Sequence, residues 1–384
     1  MADATIIMAG GSGTRLWPAS IPARPKQLMR LAGGVSLVQQ AMVRALAATP
    51  DGPVVIVTHR DHVEGIAEHA RELAAGIVPG GEKVDGLLER LVYLPEPMGR
   101  NTTPAIALGV RYLHETLGAD ASVLVLTADH VIRPVDRFAA DAGLAAELAG
   151  EGYLVCFGII PTHPETGYGY IQAGSQLGAG LVVEAFREKP DLETAHDYLR
   201  SGNFYWNSGM FCFTTGRFQA ELGEYQPEIS LAFQAAVEKL SVSPRPDGSA
   251  GADAESLRPL YERLPKISID YALMEQSKRV AVVPASFSWN DVGSWDEASK
   301  LAPSPDPATP PQSPSLVQVE AERNHVDSEL PVAICGVSDL HVVVRNGKVL
   351  VCKRGESQLV KQAVEEAQRC GLHDFFSDPE TGDQ

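Results

Sequence analysis

The sequence predicts an α/β fold: a mixed, mostly parallel sheet flanked by helices, followed by a small β-rich C-terminal domain. Three observations predict it. In the first half, continuous Val/Ile/Leu runs alternate with segments of helical spacing, the pattern of a sheet covered on both faces. From about Tyr153, strand-like runs follow one another with less helix between them. Beyond a proline-dense stretch, short strands recur before one last helix.

Taken in order, Thr5–Ala9 is an apolar run that ends in glycine and reads as the opening strand. Val35–Ala48 has helical spacing. Val54–Thr58 reads as a second buried strand and Asp61–Ala75 as a second helix. Leu91–Leu94, Thr103–Leu117 and Val123–Leu126 repeat the alternation. Tyr153–Ile160, Tyr168–Ala173, Leu181–Glu188 and Tyr205–Phe213 are strand-like, and a lid-like strand pair is expected around the Gly167–Gly169 turn. Ser241–Ala254, rich in Ser, Pro, Gly and Asp, reads as a mobile surface loop. Ala302–Ser315 holds six prolines in fourteen residues and reads as a linker. Leu316–Glu320, Val332–Cys335, His341–Val344 and Val349–Cys352 read as strands ahead of a helix near Ser357–Arg369. The expected domains are 1–301, a linker at 302–315, and a small β-rich tail at 316–384.

A chain of 384 residues, 44% apolar and 21% charged, suits a large core plus a smaller second domain. The formal net charge of −17 argues against wrapping nucleic acid, whose phosphates need a basic face. Any phosphate site must therefore be a local cluster of Lys, Arg and backbone N–H groups. Five cysteines without a CxxC pair read as reduced thiols. No run reaches the roughly 18 apolar residues of a membrane span, and the N-terminus has no basic leader-like region. These features predict a cytoplasmic protein with neither a membrane nor a nucleic-acid partner.

The most informative segment is Gly10-Gly11-Ser12-Gly13-Thr14-Arg15-Leu16-Trp17-Pro18, continuing to Pro25-Lys26-Gln27. It follows the first strand directly. Glycines let the backbone approach a polyphosphate and aim several N–H groups at it. Arg15 adds a forked cation and Lys26 a point charge. A P-loop is excluded, because Thr14-Arg15 follows Gly13 where Lys-Ser/Thr is required. A dinucleotide fingerprint is excluded, because Leu16 stands where its last glycine belongs, which disfavours a nicotinamide-dependent oxidoreductase.

Asp129 follows the run Val123–Leu126, and parallel sheets place ligands at the carboxyl ends of strands. An acid there suits Mg²⁺, which takes a few carboxylates plus water and phosphate oxygens. Asp291, in a turn flanked by Trp and Gly, is the natural second carboxylate. The alternative for Asp129 is a helix N-cap ahead of Val131. His130 reads as a structural hydrogen-bonding residue, and no His/Cys spacing suggests zinc. Glu188-Lys189 ahead of Pro190 is either a phosphate and sugar site or a surface ion pair worth little. Asn207, among aromatics, is a satisfied core amide or a ligand. Gly169 is a turn glycine or a point of close approach. Thr102 or Thr103 caps the following helix or belongs to a binding loop.

Gly-x-Gly-Thr-Arg-Leu-x-Pro with a downstream Pro-Lys resembles the signature of the sugar nucleotidyltransferase (NDP-sugar pyrophosphorylase) family. The resemblance continues in order through Glu96-Pro97-Met98-Gly99-Arg100-Asn101-Thr102-Thr103-Pro104, Thr127-Ala128-Asp129-His130 and Thr166-Gly167-Tyr168-Gly169-Tyr170. It then runs through Glu188-Lys189-Pro190, Trp206-Asn207-Ser208-Gly209, Ser268-Ile269-Asp270-Tyr271 and Trp289-Asn290-Asp291-Val292-Gly293, covering about residues 4–300. The Leu16-Trp17-Pro18 and Pro25-Lys26-Gln27 forms are most similar to the branch that takes GTP and α-D-mannose 1-phosphate.

The resemblance implies a Rossmann-like nucleotidyltransferase fold, Mg²⁺ as cofactor, and release of pyrophosphate. It implies that Gly10, Gly11, Ser12, Gly13, Thr14, Arg15, Gly99, Asn101, Thr102 and Asp129 bind the nucleotide. Lys26, Gly169, Glu188, Lys189 and Asn207 then bind the sugar phosphate, and Asp129 and Asp291 the metal. The implied catalytic set is Arg15, Lys26, Asp129, Lys189 and Asp291. In relatives the tail is a short β-helical module of subunit contact, which implies a homodimer, although Arg345-Asn346-Gly347-Lys348 replaces a more acidic turn. Guanine and mannose rest on the resemblance alone. Another sugar nucleotidyltransferase, such as one using glucose 1-phosphate with dTTP, is one alternative. A non-catalytic regulatory paralogue is the other, disfavoured because the five catalytic candidates occur together.

Overall fold

Residues 1–11, 13–31, 34–78, 83–236, 240–301 and 316–378 are described by the structure, a computed structural model. The apolar run Ala4–Ala9 forms strand β1, buried at every position but Met8. It leads through helix α1 (Leu37–Ala48) to β2 (Val54–His59), α2 (Val63–Ala74), the one-turn α3 (Leu87–Arg90), β3 (Leu91–Glu96) and α4 (Thr102–Leu117). Next come β4 (Ser122–Thr127), the short β5 (Val131–Arg133), α5 (Val135–Gly150) and β6 (Leu154–Ile159). A hairpin of β7 (Tyr170–Leu177) and β8 (Gly180–Arg187), then α6 (Leu192–Ser201) and β9 (Phe204–Thr214), follow. Helices α7 (Thr215–Tyr225) and α8 (Pro227–Ala236), strands β10 (Val242–Pro244) and β11 (Ala250–Ala252), and α9 (Arg258–Tyr261) lead to β12 (Val280–Pro284), β13 (Ser288–Asn290) and α10 (Trp295–Lys300). The remainder is β14 (Leu316–Val319), β15 (His325–Ser328), β16 (Val332–Cys335), β17 (Leu340–Arg345), β18 (Lys348–Lys353) and α11 (Leu359–Arg369).

Two compact units divide the chain. The first comprises Met1–Gly10, Gln39–Ile77 and Glu82–Trp289; the second comprises Gly11–Val38, Val78–Gly81 and Asn290–Gln384.

The first unit is built on an 11-stranded sheet in the order β10-β11-β3-β2-β1-β4-β9-β6-β12-β8-β7. Its β3-β2-β1-β4 portion is parallel, as the Val/Ile-rich runs require. β9 is antiparallel to both β4 and β6, so the sheet is mixed beyond β4. Only β12 on β6 restores a parallel ladder there. The main core joins β1 through β4 to α4, α7, α8 and the segment around Ile269–Met274. Helix α4 approaches β1 closely at Gly109, where a Cβ would stand 2.7 Å from Ile6 Cδ1.

Three expectations are corrected here. Ser241–Ala254 is no loose loop but carries the β10–β11 hairpin, with β11 parallel to β3. Asp247 closes the turn by accepting the Ser249 N–H at 3.1 Å, and Arg245 lies 5.2 Å over the Tyr93 ring. The β7–β8 pair follows the Gly167–Gly169 turn and reverses at Gly178 (φ 52°), so that turn is its entrance and not its apex. Strand β15 (His-Val-Asp-Ser) was not expected, because three of its four residues are polar. The linker expected at 302–315 lies outside the described residues.

In the second unit β14 pairs parallel with β16, and β15 with β17. Both ladders join residues 16 apart, the separation also spanned by Asn324 to Leu340 and by Arg323 to Asp339. Equal steps of this kind make successive turns of a coil. β17 and β18 close it as an antiparallel hairpin over Asn346-Gly347, whose φ values of 50° and 66° are those a two-residue turn demands.

Gly109→Ala provides a signed test of the α4–β1 contact. Alanine favours the helix by about 1 kcal/mol, but overpacking costs about 1–3 kcal/mol. The expected outcome in urea unfolding is net destabilisation, relieved when Ile6→Val removes the nearest atom. A stabilised single variant would contradict the packing described.

Candidate active site

The parallel strands run in the order 3-2-1-4, so the chain winds one way from β1 and then returns to its other side. That reversal between β1 and β4 is a switch point, where open α/β sheets bind ligands beyond the carboxyl ends of the strands. Met8 lies opposite Thr127, and the Ala128 N–H donates to Met8 O at 3.0 Å. Gly10 and Asp129 therefore leave the sheet side by side. A Cβ on Gly10 would meet nothing within 4 Å, which leaves the backbone there open to a ligand. Asp129 runs into β5 and not into a helix, so the N-cap alternative falls.

Asp129 has a charged neighbour that the sequence did not announce. Arg44 on α1 is fully buried, and burial lowers its guanidinium to about 10 against the opposing pull of Asp129. Trp289 Nε1, a donor only, gives its hydrogen to His130 Nδ1 at 3.1 Å. The neutral imidazole must then carry its proton on Nε2, which faces Asp129 Oδ1 at 3.8 Å. His130 is thus a hydrogen-bonding residue between Trp289 and Asp129.

In the Gly99–Thr102 loop the helix cap is Asn101, not Thr102 or Thr103. Asn101 sits at φ 69° and its side chain accepts the Thr102 N–H at 2.8 Å. Thr102 Oγ1 instead accepts from the Ile269 N–H at 2.9 Å. Arg100 Nε donates to Tyr261 O at 2.7 Å, which ties the loop to α9. Gly99 faces open space. At the end of β3, burial pushes the Glu96 carboxyl up to about 8.

Gly169, Glu188, Lys189 and Asn207 come together at one place. Asn207 N–H donates to Gly169 O at 2.8 Å, and a Cβ on Gly169 would stand 2.6 Å from Glu188 Oε2. Glu188 is largely buried and pairs with the more exposed Lys189 at 2.5 Å. Asn207 Nδ2 donates to Asp270 Oδ1 at 2.9 Å, and its Oδ1 accepts the Gly209 N–H at 3.1 Å. Asp270 is a residue of this cluster that the sequence reading missed. It lay within the Ser268–Tyr271 motif, but only packing reveals that burial, and then the Glu188 charge, raise its carboxyl to about 6.

The second unit holds the other expected residues, apart from Ser12, which lies outside those described. Gly11 and Gly13 are both left-handed (φ 109° and 57°), and a Cβ on Gly13 would stand 2.7 Å from Lys26 Cβ. Thr14 and Arg15 open a single 3₁₀ turn, Thr14–Leu16. Lys26 is buried and its Nζ donates to Asp291 O at 2.6 Å. Asp291 Oδ1 accepts the Gly293 N–H at 3.1 Å, and the intervening Val292 is held at φ 49°. A β-branched residue in that region is strained, and such strain persists only where the surroundings enforce it. Among the described residues no group of three or more His, Cys, Asp or Glu is placed to hold a metal ion.

A glycine-led loop leaving the central strand at a switch point, beside a carboxylate just past the end of the neighbouring strand, is the arrangement of a nucleotide-handling α/β protein. The chain matches the nucleotidyl transferase family over residues 4–303, and it belongs to that family. It is 39% identical over 367 residues to the xanthan biosynthesis protein XanB of Xanthomonas campestris pv. campestris, covering 95% of this chain and 73% of that one. It is 37% identical over 376 residues to the mannose-1-phosphate guanylyltransferase RfbM of Salmonella typhimurium, covering 96% and 73%. A Thermus thermophilus crystal structure described as mannose-1-phosphate geranyltransferase superposes with a TM-score of 0.74 at 30% identity, covering 95% of this chain and 99% of that one. Among the described residues no helix is long and apolar enough to cross a membrane.

Asp270 generates a pH prediction. Its folded value of about 6 lies above the ordinary aspartate value of about 3.9. Its contribution to stability is thus complete below the ordinary value and is lost as pH rises through about 6, by about 3 kcal/mol at most. Asp270→Asn should make the urea midpoint less pH-dependent than wild type across that window. Parallel profiles for the two proteins would contradict the burial of this charge.

Proposed function

We propose that this chain transfers GMP from GTP to α-D-mannose 1-phosphate, giving GDP-mannose and pyrophosphate. The observation that carries the reading is the arrival of Gly10 and Asp129 together at the β1/β4 switch point. The choice of sugar and base draws its support from relatives such as RfbM, named for that reaction.

A phosphate oxygen of the sugar 1-phosphate attacks the α-phosphorus of GTP in line. The bond from the α-phosphorus to the bridging oxygen breaks, and that oxygen leaves with pyrophosphate, taking the electron pair. The attacking oxygen is already anionic, so no general base is needed. Catalysis is positioning and charge neutralisation. Arg15 stabilises the charge developing on pyrophosphate. Lys26 and Lys189 hold the sugar phosphate against the repulsion of the triphosphate. Gly10, Gly11, Ser12, Gly13 and Thr14 offer backbone and hydroxyl donors to the nucleotide phosphates, and Gly99, Asn101 and Thr102 face the base. Glu188, Asn207 and the Gly169 backbone take the sugar.

Asp129 and Asp291 would hold Mg²⁺. Both supply hard carboxylate oxygens, and the Asp129 side chain is 27% exposed, so a hydrated ion can reach it. Bound Mg²⁺ supplies charge neutralisation and alignment of the triphosphate. In this proposal the parallel half of the sheet is Rossmann-like, within a catalytic domain of 1–301 followed by a linker at 302–315. Residues 316–384 form a short β-helical tail domain, and the protein is a cytoplasmic homodimer.

Pyrophosphate release across GTP, ATP, dTTP and UTP against mannose, glucose and N-acetylglucosamine 1-phosphates tests the assignment. The expected result is release with GTP and mannose 1-phosphate, abolished by EDTA and restored by Mg²⁺. Release with another pair alone would overturn the sugar and base. Arg15→Ala is expected to lower kcat at least ~10²-fold, about 2.7 kcal/mol of barrier. Wild-type turnover in that variant would remove Arg15 from the mechanism.

A further inference from the structure

The loop that carries Arg15 and Lys26 has little secondary structure of its own. Between Gly13 and Leu28 it holds two single 3₁₀ turns, at Thr14–Leu16 and Lys26–Leu28, and one isolated bridge between Ile21 and Arg24. A segment of this kind orders itself poorly, since each residue fixed costs about 1–2 kcal/mol of conformational entropy. Within the second unit, the last described residues of the chain supply what the loop lacks. The Phe375 ring stacks on Trp17 at 4.9 Å with 10° between the planes, and Trp17 Nε1 donates to Phe375 O at 2.9 Å. Arg24 Nε donates to Asp378 Oδ2 at 3.0 Å, on a carboxylate whose side chain is only 6% exposed. The buried Asn346 at the β17–β18 turn donates to Pro18 O at 2.8 Å and accepts from Arg24 at 3.4 Å. Lys348 ties that turn to the strap by donating to Asn346 O at 3.0 Å and to Ser377 O at 2.8 Å.

We propose that Asn346, Phe375 and Asp378 are positioning residues of the nucleotidyl transfer reaction: a C-terminal strap that holds the Gly13–Leu28 loop in the form that presents Arg15 and Lys26. The inference rests on the proposed function for its kinetic part and on contacts alone for its structural part. The three residues grip the loop at Trp17, Pro18 and Arg24, between the two cations and beside neither. They therefore act on the placement of both without touching substrate. A misplacement of about 1 Å in a reacting group costs up to about 10²-fold in rate.

Hydrogen–deuterium exchange and steady-state kinetics on the full chain test this together. Phe375→Ala and the milder Asp378→Asn should raise exchange across residues 13–28 while exchange in β1 and β4 stays unchanged. Each should lower kcat about tenfold or more, with a melting temperature close to wild type. Arg24→Asp combined with Asp378→Arg should recover part of both the activity and the exchange protection that either single change loses, which assigns the two effects to this ion pair. Unchanged exchange over 13–28 overturns the strap, and so does raised exchange with unchanged kcat in both variants. Wild-type protein that releases no pyrophosphate would sink the activity assignment instead, and the exchange comparison would still decide whether the strap orders the loop.

Discussion

The parallel register of β1 against β4 is the constraint on which the rest of the first unit depends. Pairing Met8 with Thr127 decides that Gly10 and Asp129 emerge together. Strand pairing is a discrete choice: a slip of one residue turns every side chain to the other face. Here both faces of β1 are buried, with Ile6 and Ile7 fully inaccessible, so the register is held by two cores at once. The Thr58 hydroxyl adds a bond of 2.7 Å to Ala9 O, one residue before the chain leaves the sheet.

Around that frame the protein accepts several electrostatic costs that packing alone would avoid. Arg44 is buried with Nε and one terminal nitrogen lacking partners among the described residues, and Asp129 supplies the opposing charge that moderates its burial. Glu96 and Asp270 are carboxyls held above their ordinary range by burial. Perturbed groups of this kind concentrate at functional sites. All three lie near residues expected to bind substrate, whereas the exposed ion pairs elsewhere, such as Arg258 with Glu255, are of the sort that contribute little.

Much of this was legible in the sequence, for definite physical reasons. Buried parallel strands read as unbroken Val/Ile/Leu runs, which is why the β1, β2 and β4 segments were visible. The glycines and Arg15 stood out because few other loops need that combination straight after a strand. What escaped was contact between residues far apart in the chain. No local pattern marks Arg44, since an arginine on an amphipathic helix ordinarily faces solvent. Asp270 sat inside a noticed motif, yet its partner Asn207 lies 63 residues away. The β10–β11 hairpin has the composition of a loose loop, and only the free edge of β3 makes it a strand pair. Asn101 was seen as a binding residue, but its cap on α4 depends on a backbone angle that composition does not reveal.

The β1–β4 register sets Asp129 beside Gly10, and the proposed function requires this carboxylate to bind the metal that accompanies the nucleotide. Electron paramagnetic resonance of Mn²⁺, titrated with GTP into wild type and Asp129→Asn, tests it most directly. Wild type is expected to bind the Mn²⁺–GTP complex, and the variant, still folded, to bind it at least ~10-fold more weakly, about 1.4 kcal/mol. Equal Mn²⁺–GTP binding by the two proteins would contradict it.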